Sequence, residues 1–94
     1  MSVAEALTTG YAPIMISAKQ IRAARALLGW TQADLAKAAG LSIAALNNLE
    51  REVTDPRRST LQTIETALLE AGVEIISDRG HSPDGGPGVR LVRR

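Results

Sequence analysis

From Ser17 to Gly72 the apolar residues return every third or fourth position, the spacing of helices with one buried face, and turn residues cut the pattern into four. Ser17 with Gln20 has the spacing of a capping box, and Ile21, Ala24, Leu27 and Leu28 follow on one face until Gly29. Thr31 with Asp34 marks a second start, with Leu35, Ala36 and Ala39 as its buried stripe up to Gly40. Ser42 caps a third helix whose Ala45, Leu46 and Leu49 face inward. Residues 51–58 contain Asp55-Pro56 and read as a loop, and Ser59 with Gln62 opens a fourth helix carrying Leu61, Ile64, Leu68 and Leu69, ended by Gly72.

After Gly72 the period shortens. Residues 73–77 (VEIIS) and 89–93 (VRLVR) are β-branched and partly alternating, which predicts two strands. The stretch between them, 78–88, holds four Gly and two Pro and reads as a long hairpin connection. Two strands alone are marginal in water, so they need a surface to lie on. Ahead of Ser17, Gly10 and Pro13 interrupt a segment without sustained period. The organisation predicted is therefore a flexible arm over 1–16, a helical domain over 17–72 and a strand tail over 73–94. The fold class is mainly α, four helices with a C-terminal strand pair.

Composition narrows the chemistry. With 94 residues the chain makes one small domain, and without Phe its core is built from Leu, Ile, Ala and Val. No Cys is present, which removes disulfides and thiolate metal sites. His81, the one histidine, sits in the Gly/Pro-rich connection, so neither a metal nor any other cofactor is expected. No nucleophile stands with a base and no carboxylates are paired at a useful spacing, which argues against an enzyme. No apolar run approaches the ~18 residues of a membrane span, and no secretion signal opens the chain. The expectation is a cytoplasmic protein. The formal net charge is only +1, but residues 17–60 hold seven Lys or Arg against four Asp or Glu.

The segment Thr31–Glu50 is the informative one. Two short helices joined by a three-residue turn must cross steeply, and each constraint leaves its residue. Ala36 is small where the helices approach, and Gly40 accepts the positive φ of the turn. Leu46 and Leu49 then anchor the second helix to the core. Thr31-Gln32-x-x-Leu35-Ala36-x-x-x-Gly40-x-Ser42, followed by Leu46 and Leu49-Glu50, resembles the Cro/C1-type (XRE) helix-turn-helix family of bacterial and phage regulators. The resemblance spans roughly Ile21 to Leu69.

That resemblance implies double-stranded DNA as partner and transcription regulation as function. It makes Gln32 a phosphate contact that also braces the reading helix, and it turns Ser42, Ile43, Ala44, Asn47 and Asn48 toward the major groove. Asn48 is the best direct reader, because a carboxamide bonds adenine N6 and N7 together, while Ile43 and Ala44 offer apolar contact to thymine methyls. The family often carries longer polar side chains at those two positions. Arg25 and Glu50 match a structural salt bridge of many relatives, and Arg51, Arg57 and Arg58 follow the reading helix where phosphates would lie. Trp30 reads as a core or boundary residue. The strands serve either as the interface of a homodimer, since one such unit reads few bases, or as an intramolecular hairpin capping the helices. The alternative to a plain regulator is an antitoxin or interaction module that keeps the fold and adds a protein partner on residues 1–16 or 73–94.

Overall fold

The computed structural model describes residues 16–77 and 84–92. Four helices run in order: α1 Ala18–Leu28, α2 Gln32–Ala39, α3 Ile43–Glu50 and α4 Arg58–Glu70. The strands β1 Val73–Ile76 and β2 Gly88–Leu91 follow. The arm over residues 1–15, His81 and the rest of 78–83, and Arg93 and Arg94 lie outside the described residues. Ile16, the last position assigned to the arm, belongs instead to the core, because the chain entering α1 lays it against the helices.

Local chemistry sets most of the boundaries. Ser17 and Gln20 close a reciprocal capping box at the start of α1, and Thr31 and Asp34 do the same for α2. Gly29 and Gly40 end these helices in the left-handed conformation, at φ 68° and 69°. Helix α4 departs from the reading of the sequence. It begins at Arg58 with Arg57 as N-cap, and no side chain supplies a capping hydrogen bond. Arg57, at φ −70° and ψ 148°, is the last extended residue, so the helix starts directly after it and Ser59 is already inside.

Helix α1 packs on α3 and on both strands, α2 packs on α3 and α4, and α4 packs on β1. Ile21, Leu35, Leu46, Ile64, Leu68 and Val73 are the largest fully buried side chains, one or more from every helix and one from the sheet. Each contributes about 1.5–3 kcal/mol by leaving water. Ala36 is buried between α2 and its neighbours, and Trp30 and Leu41 lean on the rim of this core. Three expected core positions are not in it. Leu27 and Leu69 are exposed because they lie about 120° and 140° around their helices from Ile21 and Ile64. Ala45 is exposed about 100° round from Leu46.

The strands form an antiparallel pair within the chain, Val73 opposite Leu91 and Ile75 opposite Val89. Both are shorter than the sequence pattern suggested, and after Leu91 the N–H of Val92 donates to the Gly72 carbonyl at 2.7 Å. Val73 and Ile75 face the helices and are buried with them. On the opposite face Arg90 Nε donates to Glu74 Oε2 at 3.0 Å. Gln20 ties the pair to α1. Its Nε2 donates to the Ile76 carbonyl at 2.9 Å and the Gly88 carbonyl at 3.0 Å, while its Oε1 accepts from the Ser17 N–H. One buried amide thus caps a helix and clamps both strands.

Candidate nucleic-acid interface

Helices α2 and α3 are short, and their relation is fixed at the turn between them. Gly40 N–H donates to the Lys37 carbonyl and Leu41 N–H to the Ala36 carbonyl, which satisfies the end of α2 and reverses the chain. A Cβ at Gly40 would meet nothing within 4 Å, so glycine is required there by φ and not by space. Two residues on, the Ser42 hydroxyl accepts from Ala45 N–H and starts α3. Leu46 and Leu49 then pin α3 to the core, both buried.

The C-terminal end of α3 is held differently. Glu50 is 2% exposed, and its carboxylate accepts from Arg25 Nε at 2.8 Å and Nη2 at 2.7 Å. This side-on pairing satisfies both carboxylate oxygens and holds the guanidinium pKa above its usual value, chiefly through the hydrogen bond to Glu50. Arg25 Nη1 donates also to the Trp30 carbonyl, joining the α1–α2 turn to the same hub. Arg22, one turn earlier on α1, donates to the Glu50 main-chain carbonyl. That bond places a positive charge at the negative end of the α3 dipole, where α3 has no basic residue of its own. Gln32, the first residue of α2, donates from Nε2 to Glu50 Oε1 at 3.2 Å and to Asn47 Oδ1 at 3.4 Å.

With one side of α3 fixed in this way, the other is open. Ile43 and Ala44 are exposed, Ile43 at 54%, and Asn47 follows one turn later on the same side, half-buried. Asn48 is also half-buried but turns toward α4, where it lines a shallow concavity with Ala45, Leu49, Thr54, Pro56 and Thr60. Arg51 is exposed just past the helix, and Arg57 and Arg58 are exposed at the start of α4 rather than within a loop. Of the residues singled out from the sequence, Ser42, Ile43, Ala44 and Asn47 come together along one edge of α3, while Asn48 lies on the flank toward α4. Gln20 and Arg22 were missed. Gln20 looked like capping chemistry alone, although a glutamine on the buried side of α1 hints at a second partner. Arg22 stands three residues before Arg25, and that helical spacing was the available sign.

Among the described residues no cluster of three or more His, Asp or Glu forms a metal site, and no helix is long and apolar enough to cross a membrane. Residues 21–69, just over half of the chain, match the model of a helix-turn-helix family. The chain belongs to the Cro/C1-type helix-turn-helix family. Its similarity reaches named proteins as well. It is 46% identical over 48 residues to an uncharacterized HTH-type transcriptional regulator of Mycobacterium bovis, and to counterparts in two strains of Mycobacterium tuberculosis. The matched part is 51% of this chain and 19% of each relative, so the likeness covers one helix-turn-helix unit within much longer proteins. In family terms α2 and α3 are the helix-turn-helix pair, with Gly40 in its turn.

Proposed function

We propose that the chain binds double-stranded DNA at preferred sequences, inserting α3 into the major groove, and regulates transcription as a homodimer. The observation that carries this reading is the two-sidedness of α3. Its inner face is locked by Leu46, Leu49 and the Glu50 hub, while Ile43 and Ala44 are turned outward and make no contribution to the core, with Asn47 half-buried beside them. A rigid helix with an unused face at the end of a tight turn suits groove insertion. Ser42, Ile43, Ala44 and Asn47 are the groove-facing residues, with Asn48 reaching in from the flank beside α4. Arg51, Arg57 and Arg58 supply charge for phosphates on either side, and the positive end of the α2 dipole, at Gln32, favours another.

The dimer part rests on a second surface. Leu91 and Val92 are exposed, and their links to Val73 and Gly72 place them beside the end of α4, which carries exposed Leu69. A second copy covering these residues would present two α3 helices to half-sites about one DNA turn apart or a multiple of that. Duplex binding after selection from a random library tests the function. Log affinity should fall linearly with log salt at about −0.9 per phosphate neutralised, and selected duplexes should outcompete scrambled ones. Equal binding of both at physiological salt would remove the sequence-specific reading. Light scattering of the full chain and of Leu91→Lys tests the dimer, which the lysine should dissociate.

A further inference from the structure

A run of hydrogen bonds fixes which end of the Asn47 amide faces outward. Guanidinium groups only donate and carboxylates only accept, so the Arg25–Glu50 pair has one possible polarity. Gln32 lies 3.2 Å from Glu50 Oε1, and only the Nε2 end of its amide can sit against a carboxylate oxygen. That end carries two hydrogens. One goes to Glu50, and the other points at Asn47 at 3.4 Å. The atom of Asn47 that receives it must be the acceptor Oδ1, which leaves the Nδ2 amine as the end not held by Gln32, on a residue that follows Ile43 and Ala44 by one turn.

We infer that Asn47 reads DNA as a donor alone and selects guanine, with Gln32 as the residue that sets its polarity. This rests on the DNA-binding reading given above. A freely turning asparagine favours adenine, because it combines a donor to N7 with an acceptor from the N6 amine. With Oδ1 held by Gln32, Asn47 offers two N–H groups from one nitrogen. Guanine presents two neighbouring acceptors, O6 and N7, in the major groove. Thymine offers only O4, adenine offers only N7 beside an amine that would set N–H against N–H, and cytosine offers only its amine. The same bonds assign Gln32 a different task from a phosphate clamp, since both its donor hydrogens are already committed inside the protein.

Site selection from a randomised duplex library, run on the wild type and two variants, decides this. Asn47→Asp accepts from Gln32 as before but replaces the outward donor with an acceptor. Gln32→Met keeps the length of the side chain and frees the Asn47 amide to turn over. The wild type should demand guanine at one position of each half-site. Asn47→Asp should lose that preference by about tenfold or more, and Gln32→Met should admit adenine beside guanine at the same position while best-site affinity changes less. Circular dichroism establishes that both variants fold. An unchanged guanine preference in either folded variant, or a wild-type site whose Asn47-dependent position is not guanine, overturns the inference and leaves DNA binding standing. A wild type that selects no sequence at all overturns both.

Discussion

Arg25 and Glu50 stand twenty-five residues apart in the chain and meet side-on through two hydrogen bonds, with the carboxylate almost wholly out of water. The pair joins α1 to the end of α3 and, through Gln32, to the start of α2. Removing one partner leaves a buried charge uncompensated, which costs far more than the pair itself gains. Arg25→Met should therefore destabilise the chain by about 3–5 kcal/mol, and adding Glu50→Leu should recover much of that loss. Urea denaturation of the two variants checks both parts. A loss under about 1 kcal/mol for Arg25→Met would mean that water reaches Glu50 and screens it.

The end of α3 carries backbone strain. Glu52 N–H donates to the Leu49 carbonyl and Val53 N–H to the Asn48 carbonyl, the same closing pattern that ends α1 and α2 at glycine. Here the left-handed residue is a glutamate, at φ 58°, and it alone among the described non-glycine residues has a positive φ. Glu52→Gly should stabilise the chain by about 0.5–1 kcal/mol, the relief of left-handed strain less the added freedom of the unfolded glycine. Gly40→Ala should do the reverse by about 1 kcal/mol. Thermal melting with both variants side by side is the check.

Gln20 reaches both strands from α1, by the bonds to Ile76 and Gly88. Gln20→Met fills the same space and removes the bonds to two strand carbonyls and the Ser17 N–H. A loss of about 1–3 kcal/mol is expected. Hydrogen exchange should locate it, with the amides of β1 and β2 gaining exchange and those of α2 and α3 changing little. Uniform change across the chain would show that the clamp acts on global stability alone.

Glu65 is half-buried on α4, and burial raises its pKa above the ordinary carboxylate value. A carboxyl raised in the folded state binds its proton more readily folded than unfolded. Its stabilising contribution is full below the unfolded pKa and is lost as pH rises through the folded one. Glu65→Gln should therefore be more stable than the wild type at neutral pH, and the gap should close below about pH 4. Denaturant midpoints at the two pH values test the sign. A variant less stable than wild type at pH 7 would mean that the carboxylate is held by attraction.

Periodicity and capping chemistry are local, and for that reason the sequence by itself determined the four helices, the turn at Gly40 and the buried positions of Leu35, Leu46, Ile64 and Leu68, while the outward position of Ile43 and Ala44 came through family resemblance. The Arg25–Glu50 pair was legible through family resemblance, since nothing in a spacing of twenty-five residues announces a contact. Three features needed the tertiary structure. Ile16 became core and Leu27 did not, because burial depends on which neighbours arrive and not only on the angle around one helix. The start of α4 at Arg58, ahead of the capping pattern at Ser59, carries no side-chain cap that the sequence could announce. Most consequential is the polarity of Asn47. A carboxamide is symmetric in outline, and its sequence position says nothing about which end faces out. That choice is made by a carboxylate on α3, a guanidinium on α1 and an amide on α2, and they come within hydrogen-bonding distance only when the helices have packed.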